Sequence, residues 1–185
     1  MSEALIVRRG GSAAGTIYLY NAGDENTSLT GGWSAKGWTW NSYFVAGAPT
    51  VEKGTSVMTI RLANIAGTDS ASISGVVHIA NDIDLTNYKV LTALFTTLTL
   101  AGTMSASPQT PVSLCVLKRS STTYLSDSAA RVNCAAFSAA GSKSSQTLTV
   151  DVSSLSGSYD IAIALWPYSE SSLTMTAVLS SVKLA

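Results

Sequence analysis

The sequence predicts an all-β domain: an antiparallel β-sandwich of jelly-roll type with about ten strands. Three observations predict it. Apolar residues recur at every second position wherever they are dense, the period of a strand with one buried face. Short runs of this kind are separated by Gly, Pro, Asn and Asp clusters at sandwich-like intervals. The composition is poor in charge, at 12% against about a quarter in an average domain. Instead 29 Ser, 21 Thr and 24 Ala make up 74 of the 185 residues.

The strands follow in order. Ile17 and Leu19 alternate with Tyr18 and Tyr20, and Met58, Ile60 and Leu62 alternate with Thr59 and Arg61. The run from Val90 to Leu100 is the longest and reads as a central strand, since Thr, Val and Leu pack well on a pleated surface. Val112, Leu114 and Val116 alternate with Ser113, Cys115 and Leu117, and Leu148 and Val150 with Thr147, Thr149 and Asp151. Ile161, Ile163 and Leu165 alternate with Ala162, Ala164 and Trp166, which predicts a strand covered on both faces. Leu173, Met175, Ala177 and Leu179 keep one parity, which slips at Ser180-Ser181 to Val182 and Leu184, as a bulge would make it. Ser126 to Ala140 is the one weak helix candidate, rich in Ala. Residues 15–185 form the sandwich. Residues 1–14 are an arm or edge strand, joined through the flexible Gly10-Gly11-Ser12-Ala13-Ala14-Gly15.

Several function classes are disfavoured. Eleven basic and eleven acidic residues cancel, whereas nucleic-acid binding needs clustered Lys and Arg. No apolar stretch is long enough for a membrane helix, and the start lacks the apolar core of a secretory signal. Cys115 and Cys134, in no CxxC or Cys/His grouping, read as two buried thiols. The single histidine, His78, sits in a strand pattern with no nucleophile elbow anywhere in the chain, so no catalytic residue is assigned and no enzyme is expected. Asp82 and Asp84 have the i, i+2 spacing of oxygen ligands for Ca²⁺, but a polar turn with Asp84 capping the backbone explains them better. No metal and no cofactor is expected.

The aromatic residues are the most suggestive cluster. Trp33, Trp38, Trp40, Tyr43 and Phe44 fall close together, and exposed rings of this type stack on sugar faces. The competing explanation is that they plug one end of a sandwich otherwise built from small residues. Gly37 permits a bend that divides Trp38 and Trp40, one buried and one partly exposed. Trp166 and Tyr168, on either side of Pro167, are expected as surface contacts at a loop end. Trp38, Trp40, Trp166 and Tyr168 are therefore the candidate glycan contacts. Leu5, Ile6, Val7, Arg8 and Arg9 are the candidate assembly residues of the arm.

Three segments carry a resemblance. They are Leu19 to Trp33, which holds Asn21-Ala22-Gly23-Asp24-Glu25-Asn26 and Gly31-Gly32-Trp33, then Ile83 to Leu91 with Ile83-Asp84-Leu85-Thr86-Asn87-Tyr88, and Val150 to Ile163 with Asp151-Val152-Ser153-Ser154-Leu155-Ser156-Gly157-Ser158-Tyr159. Together they resemble small virion-associated β-sandwich proteins of phages infecting Gram-positive bacteria, in a layout similar to galactose-binding-like and carbohydrate-binding jelly rolls. In that family the second segment enters a strand and the third links two others. Asn26 stands where versions of the family have Cys. The resemblance implies a non-enzymatic virion protein: a capsid decoration, head-fibre or tail-associated sandwich assembled in the host cytoplasm with copies of itself and other virion proteins. The alternative is an attachment module that binds host-wall glycan through exposed aromatic residues.

Overall fold

In the computed structural model, the structure describes residues 15–21, 35–36, 50–53, 57–65, 75–102, 111–118, 128–135, 137, 140–165 and 173–185. Eleven strands lie among them, in two antiparallel sheets. They are β1 (Ile17–Asn21), β2 (Ala35–Lys36), β3 (Thr50–Lys53), β4 (Met58–Ile65), β5 (Gly75–Asp84), β6 (Val90–Ala101), β7 (Val112–Lys118), β8 (Ser128–Asn133), β9 (Gly141–Asp151), β10 (Ser158–Leu165) and β11 (Leu173–Leu184).

The six-stranded sheet has the order β3-β4-β11-β6-β9, with β1 also paired to β11; the five-stranded sheet has the order β2-β5-β10-β7-β8. Four strands of one sheet, β4-β11-β6-β9, thus match four of the other, β5-β10-β7-β8, and the chain alternates between sheets except at β3–β4 and β7–β8. That is the double Greek key of a jelly roll. β1 and β4 share one side of β11, β4 along Leu173–Leu179 and β1 along Ser181–Leu184. The core lies between the sheets, around Phe95, Met58, Ile60, Ile79, Leu91, Leu98, Ile161 and Ile163.

A crease crosses the six-stranded sheet. On β6 the buried positions are Leu91, Ala93 and Phe95, then Leu98 and Leu100; on β11 they are Met175, Ala177 and Leu179, then Val182 and Leu184. Both strands change parity at the same level. Thr96 is the extra residue on β6 and Ser180 on β11, so the two irregularities cancel and the register resumes beyond them. On β9, Ser145 at the same level has φ of 50°, a left-handed conformation rare for a residue with a side chain. The slip at Ser180-Ser181 is therefore a bulge, and its partner strands bend with it.

A second irregularity lies in β5, where two register shifts against β10 fall between Tyr159 and Ala162. Asp82 takes φ of 58° there, and its N–H donates to Asp160 Oδ1 at 2.9 Å. The buried carboxylate thus satisfies a backbone donor in the irregular stretch.

Two turns close one end of the sandwich. Asp84 Oδ1 accepts the Thr86 N–H at 3.0 Å, and Asp151 Oδ1 accepts the Ser153 N–H at 2.9 Å, the Asx geometry in both cases. The turns also bond to each other: Leu85 N–H to the Gly157 carbonyl at 3.0 Å, Gly157 N–H to Thr86 Oγ1 at 3.0 Å, and Val152 N–H to the Lys89 carbonyl at 2.8 Å. Leu85, Tyr88 and Val152 are buried beneath them. Gly157 takes φ of 88°, which only glycine adopts without strain. Asp84 caps its own turn, as expected of a polar turn.

Two expectations are corrected. The helix candidate within Ser126 to Ala140 is a strand where it is described: Ser128–Asn133 pairs antiparallel with β7, because a partner strand outweighs the small helix preference of Ala. Tyr20 does not face outward with Tyr18. The register against β11 shifts between Tyr18 and Tyr20, so Leu19 and Tyr20 are both buried while Tyr18 is exposed.

Candidate functional site

Trp38, Trp40, Trp166 and Tyr168 lie outside the described residues, as do Trp33 and the arm residues Leu5, Ile6, Val7, Arg8 and Arg9. The two sheets present opposite outer faces.

The central strands of the five-stranded sheet, β5 along 77–80, β7 and β10, are buried on both sides, while β8 at the edge keeps Ala129 and Arg131 exposed. The core-facing row of the central strands includes Val77, Leu114, Val116, Ile161 and Ile163, and the other face of the same strands carries His78, Ser113, Cys115, Leu117, Ala162 and Ala164, all buried as well. β10 is covered on both faces, as its alternation of large apolar residues with Ala predicts. His78 is a buried strand residue level with Ala162. Ser113 Oγ donates to Asn133 Oδ1, which satisfies a hydroxyl that is fully buried.

The outer face of the six-stranded sheet is open and lined with hydroxyls. Thr59, Thr92, Thr97, Thr99, Thr174 and Thr176 are half-buried, while Ser142, Ser144, Thr147 and Thr149 are exposed. Thr99 Oγ1 and Ser142 Oγ lie 3.0 Å apart across two strands. Below the crease one row runs Tyr18, Lys183, Thr92, Thr149 in register across four strands. At about 4.8 Å per strand the row is about 14 Å long. Tyr18, 49% exposed, is the exposed large hydrophobic among the described residues. It stands at one end of that row. The sequence signal for this face was the Thr at every second position; what it lacked was the register that sets the rows side by side.

Asp84 is committed to its turn, and among the described residues no group of three or more His, Cys, Asp or Glu could hold a metal ion. Hydrogen bonds from Ser153, side chain first and backbone second, hold the Asp151 carboxyl below the usual Asp range. Among the described residues no helix is long and apolar enough to cross a membrane.

Cys115 and Cys134 are both buried as thiols, with no disulfide between them. Cys134 belongs to the inter-sheet core, whereas Cys115 lies on the opposite face of β7 from Leu114 and Val116. Burial pushes the Cys134 thiol up, against the smaller opposing effects of the Val112 hydrogen bond and Lys143. A thiol reagent at neutral pH is therefore expected to leave both unmodified in the folded protein and to modify two per chain in denaturant. Rapid native labelling would contradict this. The raised thiol stabilises the fold fully below about pH 8.5, the ordinary thiol value, and that contribution is lost as pH rises above it. Burial likewise raises Tyr20 and, with a smaller effect from Asp84, Tyr88, so a further loss follows above about pH 10.

Tyr20 has a second property. Its hydroxyl is buried and has no hydrogen-bond partner among the described residues. A desolvated hydroxyl without a partner costs about 1–3 kcal/mol. Tyr20→Phe is expected to raise stability by about 1 kcal/mol, read as a higher urea midpoint. A lower midpoint would show that the hydroxyl is bonded in solution.

No protein-family model and no curated protein sequence matches the chain. Among solved structures it is similar to the K1 cleaved adhesin domain of Lys-gingipain from Porphyromonas gingivalis W83, with TM-score 0.46 and 10% identity over 92% of this chain and 96% of that one. It is also similar to the N-terminal cellulose-binding domain of β-1,4-glucanase C from Cellulomonas fimi, with TM-score 0.40 and 13% identity over 82% of this chain and 87% of that one. Neither is a phage protein.

Proposed function

We propose that this chain is a non-enzymatic component of a phage particle, a capsid decoration, head-fibre or tail-associated sandwich that works through surface contact. The observation that carries this reading is the inequality of the two sheets. One is buried on both faces along its central strands, and the other offers an open, hydroxyl-rich, sparsely charged face of long strands. That open face is the contact surface proposed. Neutral net charge disfavours nucleic acid as its partner, so virion proteins and copies of this chain are the partners proposed. Assembly in the bacterial cytoplasm accords with two cysteines kept as thiols. The shared motifs support the reading in one further way. Asp84-Leu85-Thr86 and Asp151-Val152-Ser153 close the end of the sandwich, so what the resemblance transfers is a scaffold and not a reactive site. Mass spectrometry of purified particles tests the proposal; absence of its peptides would refute it.

A second reading has its own observation. Tyr18 is exposed at the end of a row of Lys183, Thr92 and Thr149, an aromatic ring followed by hydrogen-bonding groups, which suits a host-wall glycan. Tyr18→Ala should then abolish retention on purified cell walls while leaving the melting temperature unchanged. Retention equal to the parent protein would exclude this row.

A further inference from the structure

β9 is a long strand with one sheet partner. It has eleven residues and pairs with β6 alone among the described strands. The other single-partner strands have two to six residues. An open edge invites another strand, and natural edges are commonly guarded by charge, proline or bulges. Between Ser144 and Val150 β9 has no charge and no proline, and its register with β6 is unbroken from Gln146 to Asp151. Lys143 lies over the Phe137 ring, 5.1 Å from its centre, near the far end of the strand.

Val90 and Ala185 exchange two hydrogen bonds of 3.0 Å, which turns the polar groups of Val90 toward β11. Its partner across β6–β9, Asp151, therefore turns its own away from β6, and by strand alternation so do Thr149 and Thr147. These three residues have exposed side chains, while Leu148 and Val150 face the core.

We propose that β9 is a self-association edge: two copies of this chain pair their β9 strands antiparallel about a two-fold axis at Leu148, joining their six-stranded sheets. The register is self-complementary. Thr147 of each copy faces Thr149 of the other as a hydrogen-bonded pair, and Gln146 faces Val150 on the core side. Facing Thr residues are a favourable cross-strand pair, and no like charges are opposed. A symmetric contact of this kind closes on itself as a dimer. It gives the assembly role above a surface, and in that sense rests on it.

Sedimentation of the full chain over a concentration series tests the pairing. The parent protein is expected to form a dimer. Thr147→Lys combined with Thr149→Lys, which sets lysines opposite each other, is expected to weaken the dissociation constant at least tenfold with an unchanged melting temperature. A parent protein that stays monomeric, or a double variant that dimerises equally well, would overturn the proposal. So would loss of the dimer on deleting residues 1–9, which would assign the contact to the arm. A β9 dimer in a chain absent from virions would refute the particle role and leave the pairing standing.

Discussion

Phe95→Ala is expected to cost about 3–5 kcal/mol, the range for a large aromatic removed from a packed interior. Phe95 is fully buried at the crease, level with Leu179 on β11 and Gln146 on β9, immediately before the extra residue Thr96. Three strands change parity within a residue or two of it. The backbone there is held by two cancelling bulges and by Ser145 in a left-handed conformation, so the site has little freedom to collapse around a void. Urea unfolding followed by tryptophan fluorescence measures the loss. A cost under about 1 kcal/mol would mean that the crease relaxes readily and that packing does not hold it.

Leu85→Ala should be the other large effect, about 2–5 kcal/mol. Leu85 is fully buried at the closed end, and its N–H bonds to the Gly157 carbonyl. The comparison with Thr86→Val decides which force closes that end. The Thr86 hydroxyl accepts from Gly157 N–H and donates to Asp84, both at exposed positions, so its removal should cost only about 1 kcal/mol. The ratio of the two losses is the measurement. If Thr86→Val proves as damaging as Leu85→Ala, the hydrogen-bonded interlock outweighs the buried side chain, and packing is not what closes the end.

The resemblance motifs gain a physical meaning from this. Asp, Thr, Gly and the buried Leu and Tyr of these segments are the residue types that two interlocking turns require. A carboxylate accepts the N–H two residues on, a hydroxyl bridges the turns, and Gly157 supplies the positive φ. Such residues record how the end of a sandwich is closed. They say little about what its faces bind.

Strand content, the long strand from Val90, the double coverage of β10, the slip at Ser180-Ser181, the capping role of Asp84 and the two buried thiols were all legible in the residues alone. Each is written in a period of two, a local turn or a residue's aversion to water, and all are properties of a single segment. Other features arose only when distant segments met. The Ala-rich segment from Ser128 became a strand because β7 offered it backbone partners, which its own composition could not reveal. Tyr20 turned inward because its register against Val182 and Lys183 shifts at Leu19, and alternation in β1 alone predicts the opposite. The row of Tyr18, Lys183, Thr92 and Thr149 draws one residue from each of four strands, far apart in the chain. Which of the two sheets keeps an open face depends on what packs over it. Register and layering join distant segments, and no local pattern encodes them.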